Sequence, residues 1–376
     1  MLKGINLTLM IGPAVPVPVP QVVLDALTSV QVTSASGNTE SGFELQFTLS
    51  NNSPLHTVFL LSGGAMLPIM RVVIVVTING TPNVLMDGVM LDHQISPGSD
   101  GSHSTLTVRG KDLTAVMDFI DFSGLPYPAM PVVVRVLLIL AKYAVLGIIP
   151  IVIPPIVSDL PIPTERIPRH QGKDLGYIRL LAEQAGYVFY LDPGPVPGTN
   201  KAYFGPEIKV GAPQPALNIN MDAHTNVESL QFRFDKQRKK LPIVFIQEEK
   251  SKVVIPIPIL DITPLNPPLG LIPPIPPRIE MMDDTVFLNP LTAIMAGLAE
   301  AARSSDAVTG TGSLNVLRYG RLLKSRQLVG VRGAGMAYDG LYYVSSVTHQ
   351  IKRGEYKQSF ELKRNGLVST VPRVAA

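Results

Sequence analysis

Six histidines, at positions 56, 93, 103, 170, 224 and 349, are the first residues to test for chemistry. A protein metal site needs ligands that converge, commonly two histidines a helical turn apart. No pair here has that spacing. The densest grouping is Asp222, His224 and Glu228 in MDAHTNVES. It falls at the predicted start of a strand, where Asp and His make turn and cap hydrogen bonds. Asp92-His93 and His349 fall within strand patterns and read as polar strand residues. Glu248-Glu249 and Asp283-Asp284 are adjacent in sequence, and adjacency alone does not aim two carboxylates at one substrate bond. Gly172-Lys173 is followed by Asp174, where a phosphate-binding loop needs a hydroxyl for magnesium. Gly333-Ala-Gly335 lacks the third glycine of a dinucleotide fingerprint. Both read as turns. The basic run Lys236 to Lys240 (KQRKK) reads as a solvated loop. Nucleophile-elbow and zincin motifs are absent, and there is no cysteine to staple the chain or ligate a metal. The sequence therefore assigns no catalytic, cofactor-binding or metal-ligating residue. The expectation is a protein that is not an enzyme and takes no cofactor.

The elements that would hold such residues are mostly strands. The chain has 376 residues, enough for two or more domains. It is 46% hydrophobic but only 16% charged, against about 25% for an average soluble protein. Partners are expected to cover much of its surface. A net charge of +3 with scattered basic residues argues against nucleic-acid recognition. The early prolines interrupt the apolar N-terminus, so no signal peptide is expected. Residues 13–20 read as an extended polyproline-like arm rather than a ladder strand. Strands are predicted at Val22 to Val32, Phe43 to Leu49, Arg71 to Ile78, Val84 to Leu91 and Ser104 to Arg109. The alternation of Phe43, Leu45, Phe47 and Leu49 marks one buried face. A helical stripe of Leu113, Val116, Met117 and Ile120 closes this part.

Residues 128–163 are the most apolar stretch. Arg135, Lys142 and Pro150, Pro154 and Pro155 interrupt it, so a buried helix from about Val132 to Leu146 and an extended strap are favoured over a membrane span of about 20 apolar residues. Asp174 to Gly186 gives an amphipathic helix with Gly186 as its C-cap, followed by strands at Tyr187 to Leu191 and Lys201 to Phe204, a small α/β module. Strands at Val227 to Phe234 and Leu241 to Gln247 follow. The proline density from Val254 to Ile279 predicts an extended excursion outside any sheet. Asn289-Pro290 reads as an N-cap and first turn of a helix to about Arg303, and Thr-Gly-Thr-Gly as a turn. Three antiparallel strands end the pattern: Leu328 to Arg332, a strand with Leu341, Tyr343, Val347 and Ile351 on one face, and a strand alternating Tyr356, Gln358, Phe360 and Leu362 inward. The last two form a hairpin through Lys352-Arg353-Gly354-Glu355.

Two of these stretches carry a resemblance. GKDLGYIRLLAEQAGYVFYLDPG at 172–194 resembles the helix-to-strand motif of contractile-tail hubs: phage late control D proteins, type VI secretion VgrG proteins and hubs of extracellular contractile injection systems. The final strand pair is similar to that family's closing barrel strands at Asp339, Gly340, Tyr342, Tyr343, Val344, Val347, Thr348, His349, Gly354, Tyr356, Gln358, Phe360, Leu362, Arg364, Asn365 and Gly366. Leu85 to Leu91, Leu106 to Val108 and Lys111-Asp-Leu113 suit a first barrel.

The resemblance implies an α+β, β-dominated fold: two tube-like antiparallel β-barrels, a small inserted α/β module and proline-rich extended straps. Its expected domains are 1–125, a first barrel with the proline-rich arm and closing helix; 126–215, the apolar helix, strap and module; and 216–376, a second barrel interrupted by a proline-rich and helical insertion at about 248–311. The implied function is a homotrimeric structural baseplate hub that presents six barrels, adapting a threefold spike to the sixfold inner tube. Implied partners are a separate spike protein, the inner tube or tube-initiator protein and baseplate wedge components, in a phage tail-like particle assembled in the cytoplasm. Tyr342, Tyr343 and His349 are then packing and strand-pairing positions. The alternatives are a membrane-associated assembly factor using 132–157 and a cell-wall hydrolase.

Overall fold

The computed structural model describes residues 5–13, 15–36, 40–49, 69–97, 104–155, 161–164, 166–247, 252–260, 266–275, 278–288 and 290–371. The N-terminal part builds β1 (Ile5–Gly12), β2 (Val17–Pro18), α1 (Gln21–Ala26), β3 (Leu27–Ala35), β4 (Gly42–Leu49), β5 (Arg71–Ile78), β6 (Thr81–Pro97) and β7 (Ser104–Asp112). The strands neighbour one another in the order β2-β1-β5-β6-β7-β4-β3, antiparallel throughout. Phe43, Leu45, Phe47 and Leu49 are all buried, as their alternation predicts. Asn79 and Gly80, both with positive φ, close the β5–β6 hairpin, the backbone a two-residue primed turn requires.

Three expectations for this part need correction. The strand expected from Val22 begins only at Leu27, because Gln21–Ala26 wind into a short helix after Pro20, with Gln21 Nε2 donating to Asp25 one turn on. The arm is not wholly outside the ladders: Val17 and Pro18 pair with Ile11 and Met10 at the sheet's edge, where proline's missing donor costs nothing. The closing helix is a six-residue 3₁₀ helix, Leu113–Asp118, capped by Asp112. Its period of three throws the 3.6-residue stripe out of phase, and Ile120 is 60% exposed.

The module follows. It contains α2 (Val132–Ala141), β8 (Ile148–Val152), α3 (Asp174–Ala185), β9 (Val188–Pro193) and β10 (Asn200–Gly205). α2 stops at Ala141, short of the expected Leu146, and buries one face only, Val136, Ile139 and Leu140, leaving Val134, Leu137 and Leu138 in solvent. The strap is in part a strand. β8 runs parallel to β10 and antiparallel β9 lies on the other side. Pro150 is tolerated because β8 is an edge. α3 ends where predicted, with Gly186 in the left-handed region. Helices and sheet enclose their own apolar cluster, including Leu175, Ile178, Leu181, Phe189 and Phe204.

The remainder builds β11 (Gln214–Asn218), β12 (Val227–Phe234), β13 (Lys240–Gln247), β14 (Val254–Pro258), β15 (Gly270–Ile272), β16 (Arg278–Met282), α4 (Pro290–Arg303), β17 (Val308–Asn315), α5 (Val316–Tyr319), β18 (Leu328–Arg332), β19 (Gly340–Lys352), β20 (Glu355–Arg364) and β21 (Leu367–Ser369). The proline-rich segment, expected outside any sheet, supplies β14, β15 and β16. Pro256 and Pro258 are two apart on β14, which pairs only with β13. Both missing donors therefore face the same open edge. Asn289 lies outside the described residues; the helix it was expected to cap does start at Pro290. Thr-Gly-Thr-Gly is not a turn but the middle of β17. A methyl group at Gly310 would meet the Phe232 ring at 2.8 Å, and one at Gly312 the Phe360 ring at 2.7 Å. Glycine lets aromatic rings lie across the strand.

β19 organises the molecule. Along one edge it pairs with β18 over 340–343 and then with β3 over 346–352, while β20 holds the other edge. A bulge between Val344 and Ser346 marks the exchange. One extra residue reverses which side chains face inward: Tyr342 and Val344 enter the main core before it, Val347 and Ile351 after it. Leu341 and Tyr343 instead join a small cluster on the other face, so the predicted single face splits in two. The pairing of β3 with β19 fuses the N- and C-terminal strands into one 13-stranded sheet. Its inner residues form one contiguous apolar core, from Ile5 to Leu362. A sheet of this many strands can share one core only by curling on itself.

Candidate functional site

The sequence candidates do not converge. Asp222, His224 and Glu228 are all exposed; Asp222 and His224 form a single 3₁₀ turn, and Glu228 accepts an ion pair from Lys357 at 3.1 Å. His93 is exposed on β6. His56, His103, Glu248 and Glu249 lie outside the described residues. Among the described residues no three His, Cys, Asp or Glu side chains come together to hold a metal. Gly172 and Gly333 adopt positive φ in loops. Within the run Lys236 to Lys240, residues 236–238 form an exposed turn, and Lys240 opens β13, held by Glu280 at 2.8 Å and Glu300 at 3.2 Å.

Polar groups converge instead inside the module, at the first residue of α3. Asp174 is fully buried and accepts hydrogen bonds from Lys142 Nζ at 2.7 Å and the Tyr143 hydroxyl at 2.6 Å. His170 Nε2 lies 3.4 Å from the same carboxylate, and its Nδ1 is 2.8 Å from the Tyr127 hydroxyl. His170 also lies against Tyr177, whose hydroxyl accepts from Arg135 at 2.6 Å. Burial pushes the His170 pKa down, with Asp174 acting in the opposite sense. It pushes the Tyr127 hydroxyl up to about 12. This network holds α2, α3 and the 122–127 turn together. Neither the 400 Å³ groove over Gly42 nor the 260 Å³ cavity beside Arg326 is lined by these residues. Sequence reasoning passed over His170 and Asp174 because Lys142, Tyr143 and Tyr127 lie 31 to 43 residues upstream of their partners. The available signal was the pair itself, four residues apart at the start of a helix.

A second convergence joins all three parts. Arg326, itself at positive φ, donates to Ala35 O from β3 at 2.6 Å and to Asp192 and Leu191 O from β9 at 3.1 and 3.3 Å. Its guanidinium lies 4.0 Å over the Tyr190 ring, while its backbone N–H donates to Val344 O. Beside it a cavity of about 260 Å³ is lined by Tyr190, Tyr203, Glu207 and Tyr343. Buried Lys209 lies over the Tyr343 ring and pairs with Asp306 at 2.8 Å. Burial, with Asp306 adding to it, pushes Glu207 upward. An open groove of about 400 Å³ runs over Gly42 and Gly110 between Arg109 and Lys111, whose charges are met by Glu44 and Glu40.

The closing motif Arg364-Asn365-Gly366 is a structural clasp. Arg364 is fully buried, donates to the backbone carbonyls of Gly366, Asp339 and Ala337, and lies 4.4 Å over Tyr342. Asn365 accepts from Leu269 and Gly270 N–H, each at 2.9 Å, and pins the proline-rich strap. A methyl at Gly366 would meet Ile272 O at 2.6 Å. Tyr343 packs in the small outer cluster, and His349, paired with Tyr356, in the sheet.

No family model matches this sequence, and no curated protein does. Solved structures do. A tail protein from Neisseria meningitidis MC58 aligns with TM-score 0.63 at 14% identity, over 97% of this chain and 98% of that one. The 43 kDa tail protein of prophage MuSo2 from Shewanella oneidensis aligns with TM-score 0.61 at 15% identity, over 96% and 98%. A chain of the Francisella PdpA-VgrG complex aligns with TM-score 0.56 at 10% identity over 99% of this chain, which spans 60% of that one. At these identities the likeness is one of fold: a β-dominated architecture that this chain shares, end to end, with phage tail proteins.

Proposed function

We propose that this protein is a structural, non-catalytic baseplate hub of a phage tail-like contractile injection machine. In this reading three copies form a ring that adapts a threefold spike to the sixfold inner tube, with baseplate wedge components outside it, and the particle assembles in the cytoplasm. The observation that carries the reading is the seam between β3 and β19. It joins two strand groups, one from 5–112 and one from 214–364; in this reading each group is one tube-like unit, so that three subunits offer six. Full-length likeness to tail proteins supports it. The domains proposed are 1–125, 126–215 and 216–376. No helix of the described residues is long and apolar enough to cross a membrane. Native mass spectrometry of the purified chain tests the reading: a mass of three subunits is expected, and a stable monomer or hexamer at micromolar concentration contradicts it.

A further inference from the structure

The small sheet β14-β13-β16 stands outside the large one, and among the described residues a helix covers one side only. α4 lies on the face that holds Val244, which is fully buried; a methyl at Gly297 of α4 would come within 2.7 Å of the Val244 and Ile259 side chains. Lys240 and Glu280 belong to that face, and Lys240 reaches Glu300 of α4. The ladder registers place Leu241, Ile243 and Phe245 of β13, Val254 of β14, and Ile279 and Met281 of β16 on the opposite face. None is charged. Ile279 is 60% and Met281 58% exposed. β13 and β16 are parallel, and parallel pairs are normally covered on both faces.

Size and charge decide what covers it. Three strands about 4.8 Å apart and five residues at about 3.3 Å each make a face of roughly 15 by 17 Å, about 250 Å². That falls well short of the ~800 Å² per partner of a free-standing protein interface, so the face cannot hold a second copy by itself. It matches a helix of about 11 residues, ~17 Å long. Because β13 and β16 run the same way, their starts share one end of the face. Lys236, Arg238 and Lys239 lie there, in the turn before β13. The other end carries exposed Asp283 and Asp284, directly after β16, against the single exposed Lys252 before β14 among the described residues.

We propose that this bare face docks a three-turn amphipathic helix of a partner protein, acidic at its N-terminal end and basic at its C-terminal end. The acidic end lies over Lys236, Arg238 and Lys239, and the basic end over Asp283 and Asp284. That charge order also suits the helix's own dipole. A docked helix completes a helix–sheet–helix sandwich around β13. The inference goes beyond the hub reading and stands without it.

Fluorescence anisotropy with the full chain and synthetic 14-residue helical peptides tests it. One peptide carries a leucine stripe with Glu at the first two and Lys at the last two positions; the second exchanges Glu and Lys. The first is expected to bind at least about tenfold tighter, as charge complementarity selects orientation. Met281→Glu abolishes binding with an unchanged melting curve, and Lys236→Glu with Arg238→Glu removes the preference between peptides. Equal binding of the two peptides, binding by neither, or binding untouched by Met281→Glu overturns the proposal. So does a self-association in sedimentation velocity that Met281→Glu removes, since a second copy then covers the face. Subunit number, which tests the hub reading, is measured separately and is expected to be the same in all variants.

Discussion

His349 sits among the apolar inner residues of the large sheet with its Nδ1 2.8 Å from the Tyr356 hydroxyl. Full burial lowers its pKa to about 4. An unfolded histidine titrates near 6.5, so the folded state disfavours the charged form. Its contribution is complete above pH 6.5 and is lost as pH falls towards 4, about 3 kcal/mol in all. Chemical denaturation across that range is expected to show a shallower loss of stability in His349→Phe than in the parent. An equal pH dependence in both proteins contradicts the assignment. Gln358, fully buried beside it, forms a two-way amide clamp with the Leu323 backbone at 2.8 and 3.0 Å. Gln358→Leu leaves a buried N–H and C=O without partners and is expected to cost about 3 kcal/mol in urea unfolding. Gln358 was visible in the sequence as the polar member of an inward row. Its partner, 35 residues upstream, was not.

At the scale of elements, what could be read from the sequence was what period and turn chemistry determine. β4, β5, β12, β18 and β20, the α3 helix with its glycine cap, and the β19–β20 hairpin all follow from alternation, amphipathicity and turn residues. What could not be read depends on neighbours remote in sequence. Proline strands need knowledge of which strand is an edge. The β19 bulge needs the β18-to-β3 exchange. Gly310 and Gly312 look like a turn until the rings of Phe232 and Phe360 are placed over them. Gly312→Val is therefore expected to destabilise by about 1–3 kcal/mol through overpacking, because its Cβ would also meet Ser229 O at 2.4 Å. The same substitution at solvent-open Gly354 would meet no atom within 4 Å and disturbs only the turn's positive φ. If Gly312→Val melts with the parent, the ring-over-glycine packing is not what holds β17.

For the whole molecule, Arg326 is where the N-terminal strands, the module and the C-terminal strands meet. Arg326→Ala removes donors from Ala35 O and Leu191 O and exposes the junction. Hydrogen exchange in β3 and β9 is expected to quicken, with a loss of about 2–3 kcal/mol. Arg303→Ala, which breaks an exposed ion pair with Glu183, is expected to cost under about 1 kcal/mol. Equal effects of the two contradict the junction's role. The polar clusters around Asp174 and Arg364 tie together elements remote in sequence. The low charge and the closing Arg364-Asn365-Gly366 motif were legible in the sequence. The bare face of the small sheet and the seam were not, because both depend on strand order. The central claim is that each subunit supplies two tube-like units to a threefold ring. A reconstruction of the assembled ring by electron cryomicroscopy without imposed symmetry tests it most directly. Rotational correlation is predicted to peak at 120°, with weaker maxima at the intervening 60° positions. Six equal maxima at 60° intervals, or no ring, would contradict the account.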